Sequence, residues 1–185
     1  MSKFEQAVIA ITGASSGIGA ALAYALSKKN ARLALSDING DALSAVKAEC
    51  LSLGASEVVV DTLDVADSAA VNQWADSVYS QFGQVNVVIN NAGVSLTGCV
   101  EETSDKDFQW LMNINFWGVV YGSKAFLPYL KQSEWGHVVN VSSLFGLIAI
   151  PNQSAYNAAK FAVKGFSESL RMELEIGKAS CRERV

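Results

Sequence analysis

Cysteine pairs, basic clusters and long apolar runs are all missing from this sequence, and each absence excludes a class of protein. The apolar run that opens the chain, residues 7–11, is too short for a signal segment or a membrane span, so a cytoplasmic protein is expected. Cys50, Cys99 and Cys181 are far apart, odd in number and free of any C-x-x-C spacing, which leaves neither a disulfide framework nor a metal site. Only one histidine occurs, His137, and it precedes an apolar run; with no nucleophile elbow present, a Ser/His/Asp hydrolase is disfavoured. Two prolines, Pro128 and Pro151, and no Pro/Gly/Ser-rich linker mean no internal domain boundary. Charged residues make up 17% of the chain, net charge is −4 and no Lys/Arg run appears, which excludes nucleic acid and anionic membranes as partners and favours a small molecule.

What is present is an alternation. Half of the 185 residues are hydrophobic, enough to bury one core. Short, β-branched, apolar segments at 7–12, 32–37, 58–64, 85–90 and 137–142 alternate with amphipathic stretches at 16–29, 41–53, 67–82, 105–132 and 155–174. Strands that are apolar throughout, joined by helices, predict an α/β fold: a doubly wound parallel sheet in three layers, α/β/α, with ligands at the carboxyl edge. One domain is expected over residues 1–174. The closing EIGKASCRERV turns abruptly polar and basic where a sixth strand should begin. It reads like translated sequencing adapter with one difference, at Lys178. Residues 175–185 are therefore expected to be non-native, with the last strands missing and the natural gene continuing.

The first strand runs into Thr12-Gly13-Ala14-Ser15-Ser16-Gly17-Ile18-Gly19 and then a helix. Glycines there permit a tight turn and close backbone approach, so that free N–H groups at a helix N-terminus can face a pyrophosphate. The spacing G-x-x-x-G-x-G differs from the commoner G-x-G-x-x-G, and a plain glycine turn is the competing reading. Asp37 ends the second strand, where a carboxylate can accept from an adenosine ribose diol and repel a 2′-phosphate, which favours NAD over NADP. A mere cap on the following helix is the alternative for Asp37.

Taken with NNAG at 90–93 and Tyr156-Asn157-Ala158-Ala159-Lys160, the turn TGASSGIG resembles the short-chain dehydrogenase/reductases. The resemblance covers Lys3 to about Glu175 and implies a Rossmann-like sheet, a nicotinamide cofactor and alcohol/ketone chemistry. It places Gly13, Ser15, Ser16, Gly17, Ile18, Gly19, Asp37, Asp64, Val65, Asn91, Ala92 and Gly93 along the cofactor. It makes Asn115, Ser143, Tyr156 and Lys160 the catalytic group, with Tyr156 and Lys160 also touching cofactor. Ser143, rather than its neighbour Ser142, matches the catalytic serine. The family's substrate loop and last strands have no counterpart.

Those residue types suit hydride transfer between a secondary alcohol and a ketone, which needs a proton group at the oxygen. A tyrosine of ordinary pKa near ~10 is a poor base at neutral pH. Tyr156 and Lys160 are four apart in a stretch without helix breakers, so they share a face and the ammonium can favour the phenolate. Ser143 is expected to orient the substrate oxygen. The resemblance further implies that Lys160 binds the nicotinamide ribose and that Asn115 holds a water leading to solvent. A sugar-nucleotide epimerase or dehydratase, or a redox sensor that binds NAD without turnover, are the alternatives. The four tryptophans are read as packing residues, and LFGLIAIP at 144–151 as either pocket wall or core. Phe116, Val119, Val120, Phe126 and Leu127 give a long helix an apolar surface suited to a homodimer or homotetramer, burial against the sheet being the other reading.

Overall fold

The computed structural model of the protein describes the backbone of residues 3–182 and the side chains of residues 3–175. Among the described residues, strands β1 (Val8–Thr12), β2 (Arg32–Asp37), β3 (Glu57–Thr62), β4 (Val87–Asn90) and β5 (His137–Asn140) form one sheet in the order β3-β2-β1-β4-β5. All four pairings are parallel. The connecting helices are α1 (Gly17–Ser27), α2 (Gly40–Ser52), α3 (Ser68–Phe82), α4 (Asp105–Met112), α5 (Gly118–Gln132) and α6 (Ser154–Arg182).

The central strand shows why the pattern specifies a doubly wound sheet. Every residue of β1 is buried, and successive side chains go to opposite faces. Ile9 and Ile11 pack with Ala20 and Ala23 of α1 and Leu43 and Val46 of α2. Val8 and Ala10 pack with Val71, Trp74 and Val78 of α3 and Phe126 and Leu130 of α5. Because β1 neighbours both β2 and β4, the chain changes direction across the sheet there, and the loops leaving β1 and β4 part to open a crevice.

Three helices begin on their own caps, which satisfy amide groups that have no partner within the helix. Asn39 accepts from Ala42 N at α2, Asp67 from Ala69 N and Ala70 N at α3, and Ser104 from Asp107 N at α4. Helix α1 differs: its cap position, Ser16, makes no side-chain hydrogen bond, and its first turn carries no acid.

The stretch 105–132, expected as one helix, is three pieces. A π-helical turn, Asn113–Trp117, separates α4 from α5. Residues 113–117 contain no glycine or proline to announce it, and such turns arise from tertiary fit. Of the five residues expected to present an apolar surface on this stretch, Val119, Val120 and Phe126 are buried within the chain, as the alternative reading had it. Helix α6 continues to Arg182, beyond the expected end at 174. The side chains of 176–185 in the expected non-native tail lie outside the described residues.

Phe126 is fully buried and meets Trp74 edge-on at 5.0 Å between ring centroids, locking α5 to α3. Phe126→Ala is expected to lower unfolding stability by about 3–5 kcal/mol in denaturant titration. A loss below about 1 kcal/mol would contradict this packing.

Candidate active site

The carboxyl ends of β1 and β4 are joined by their own loops. Thr12 Oγ1 accepts from Asn91 N (3.0 Å) and Ala92 N (3.1 Å), and Asn91 Nδ2 donates to Thr12 O (3.0 Å) and Gly13 O (3.1 Å). Gly13, at φ +65°, is pressed so closely on this second loop that a Cβ would stand 2.7 Å from Ala92 Cα. The turn therefore requires glycine for conformation and for space.

A cavity of about 460 Å³ lies against this junction. Its walls include Gly13, Ser15, Ser16, Gly17, Ile18, Asp37, Asp64, Val65, Asn91, Ala92 and Gly93, so eleven residues singled out in the sequence converge on one space. Gly19 does not line it; it packs behind the turn against Gly13 O. The uncapped N-terminus of α1 faces this space with Ser16 and Gly17, and a Cβ on Gly17 (φ +53°) would meet no protein atom within 4 Å. Free amides, a positive helix end and open room in front of them fit an anionic group such as a phosphate.

Asp37 is fixed in the same wall. Its Oδ2 accepts from Ser15 N (3.0 Å) and its Oδ1 from Asn39 N (3.0 Å). The cap of α2 is Asn39, so Asp37 is not a helix cap. Asp64 Oδ1 accepts from Ala66 N (2.9 Å), steadying the turn that presents Val65.

The second group gathers on the far side of Gly93. Asn115, fully buried in the π-helical turn, accepts from Val94 N and donates to Val94 O, both at 2.8 Å. Lys160, 4% exposed, donates from Nζ to Val141 O at 3.0 Å. A Cβ on Gly93 would stand 3.3 Å from Asn115 Oδ1 and 3.8 Å from Lys160 Nζ, so these three residues meet. Burial pushes the Lys160 ammonium pKa below its ordinary 10.5. Its Nζ is 5.6 Å from the centre of the Tyr156 ring.

Ser143 reaches this group through its loop. Its Oγ accepts from Phe145 N (3.2 Å), and the Phe145 ring meets the Tyr156 ring edge-on at 6.0 Å. Gly146 lets the loop lie on α6: a Cβ there would stand 2.8 Å from Lys160 O. Ser142, the alternative serine, approaches the same carbonyl at 3.5 Å and turns toward the helix backbone. Beyond Ser143, Leu144, Leu147 and Ile148 are 61%, 60% and 51% exposed, which removes core packing as their role.

Sequence reasoning missed part of the cavity wall: Ile38, Leu63, Val94, Trp110 and Ile114. Trp110 corrects the reading of every tryptophan as a packing residue, and Trp117 too is exposed, whereas Trp74 is buried. A signal existed, since Trp110 and Ile114 are four apart on a helix that follows NNAG. The spacing alone did not say which face was buried.

A family model described as short chain dehydrogenase matches residues 7–179. SadH of Mycobacterium tuberculosis (strain ATCC 25618 / H37Rv) is 53% identical over 178 residues, covering 96% of this chain and 64% of SadH. This chain thus spans less than two thirds of that relative's length. A short chain dehydrogenase/reductase from Burkholderia phymatum, solved in complex with NAD, is 36% identical with a TM-score of 0.91, covering 96% of this chain and 63% of the other. An alcohol dehydrogenase from the archaeon Thermococcus sibiricus, complexed with 5-hydroxy-NADP, is 34% identical with a TM-score of 0.87, covering 91% and 72%. The chain belongs to the short-chain dehydrogenase family.

Proposed function

We propose that this chain carries the cofactor-binding and catalytic residues of a nicotinamide-dependent oxidoreductase that interconverts a secondary alcohol and a ketone. The observation that carries the reading is Gly93, which stands between the phosphate-accepting cavity and the buried Lys160–Asn115 pair. Gly13, Ser16, Gly17, Asp37 and Gly93, which line the cavity, would hold a dinucleotide. When bound, it supplies the hydride acceptor or donor.

The protein's own part is proton handling and orientation. Tyr156 gives or takes the proton at the substrate oxygen, and Ser143 donates a hydrogen bond to the same oxygen. Lys160 holds its charge beside the Tyr156 ring and favours the phenolate. Because both ends of the Asn115 amide are engaged by Val94, its role here is to fix the loop that carries Gly93. The exposed Leu144, Leu147 and Ile148 beyond Ser143 favour a substrate with an apolar body. A homodimer or homotetramer remains part of the proposal, supported by Trp117 and Phe161, which are 41% and 43% exposed.

NAD is the proposed cofactor. The two solved relatives bind different forms, one NAD and the other an NADP derivative, so the choice rests on Asp37. With both oxygens held by main-chain amides, that carboxylate cannot swing away from a 2′-phosphate, and their repulsion disfavours NADP. Asp37→Ala is expected to narrow the preference for NADH over NADPH in paired titrations by at least about tenfold. Equal affinity of the unaltered protein for both would contradict the assignment.

Tyr156→Phe is expected to cut turnover of NADH with a panel of ketones by at least about a hundredfold, leaving NADH affinity within about threefold. Lys160→Ala is expected to impair both. NADH binding without turnover of any ketone by the unaltered protein would favour a redox sensor instead.

A further inference from the structure

One wall of the cavity is an aromatic surface to which proton transfer and phosphate binding assign no role. Trp110 projects from α4 at 45% exposure, while the adjacent Leu111 is fully buried with Ala155 and Ala159 of α6. Leaving half of an indole bare forgoes much of the stabilisation that burying such a large apolar ring provides. Ile114, one turn later, lines the same cavity.

The position of this wall follows from the next turn. Gly118, four residues beyond Ile114, lies against the end of β3: a Cβ on it would stand 2.8 Å from Val65 Cγ2. Leu63, Asp64 and Val65 all line the cavity, as do Asp37 and Ile38 from the end of β2. Ser143 and Tyr156 are not among its walls. Trp110 thus shares its cavity with the ends of β2 and β3, and Tyr156 is not part of that wall. Ile38, 72% exposed, adds a second large apolar surface there. Two exposed apolar side chains in the cavity that also holds the Asp37 carboxylate suit a flat, π-bearing base.

We propose that Trp110 is a cofactor-binding residue, the surface on which the purine base of the dinucleotide stacks, and that it shields the adenosine end from water. The proposal rests on the cofactor reading above. It adds an affinity determinant on α4, an element that supplies none of the phosphate or ribose contacts.

The test uses ADP-ribose, which carries the base, both riboses and the diphosphate but no nicotinamide. Titrated into the protein, ADP-ribose is expected to quench tryptophan emission. Trp110→Ala should weaken its binding about tenfold, in line with base–aromatic stacking. Trp110→Phe, which keeps an aromatic face, should retain affinity within about threefold while losing most of the quenching. Nicotinamide mononucleotide should bind the Ala variant and the unaltered protein alike. Unchanged ADP-ribose affinity in Trp110→Ala would overturn the proposal while leaving the cofactor reading standing. Failure of the unaltered protein to bind ADP-ribose would overturn the cofactor reading and the proposal together. If Trp110→Ala melts early, Trp110→Leu replaces it, with the same expected loss of affinity.

Discussion

The hydrogen bonds between Thr12 and Asn91 join two loops that the sheet sends in opposite directions. After β1 the chain turns to the face covered by α1 and α2; beyond β4 it goes to the face covered by α5. Parallel strands leave a crevice at such a reversal, and its width depends on what ties the loops. Here one threonine hydroxyl and one asparagine amide make four bonds across it, pressing Gly13 onto Ala92. On one side of this tie stands the uncapped end of α1. On the other, Gly93 stands against Asn115 and Lys160. The proposed phosphate binding and proton handling are thus referred to a single fixed junction.

Most of the sheet was legible because its signals are local. A run such as AVIAIT, apolar up to its closing threonine, belongs in a strand buried on both faces, and β1 is such a strand. The cavity wall was legible where glycine, a strand-end carboxylate or NNAG marks it. Three features were not. The π-helical turn at Asn113–Trp117 has no compositional mark, since it depends on how α4 and α5 meet the rest of the molecule. Trp110 and Trp117 read as packing residues because a tryptophan's exposure depends on which helix face the fold covers. The apolar face of 105–132 allowed both burial and an outward surface; Val119, Val120 and Phe126 are buried, whereas Trp110 and Trp117 are 45% and 41% exposed.

The cost of the site is concentrated in Lys160. A buried ammonium is disfavoured unless its hydrogen bonds are met, and here Val141 O meets one of them. That carbonyl follows β5, whose Asn140 accepts from Asn90 Nδ2 at 2.8 Å and donates to Ser167 Oγ at 2.9 Å. The polar chain ties β4 and β5 to α6, the helix that carries both Tyr156 and Lys160. Tyr156 and Lys160, the proposed catalytic pair, are thereby tied to β4 and β5, while Leu144, Leu147 and Ile148 nearby stay exposed.

Gly17→Asp tests the central claim, that the open end of α1 receives the dinucleotide's phosphates. Aspartate adopts a positive φ more readily than most residues, and beyond the adjoining residues and the helix's own backbone no protein atom lies within 4 Å of the Cβ it adds, so the cost is confined to local backbone strain and the fold should be retained. Its carboxylate would enter the space the phosphates need and repel them. In calorimetric titration with NADH at low salt, the account predicts at least about a tenfold loss of affinity, with a melting temperature lowered by no more than about a few degrees. Unaltered affinity would contradict it, because the phosphates would then lie elsewhere.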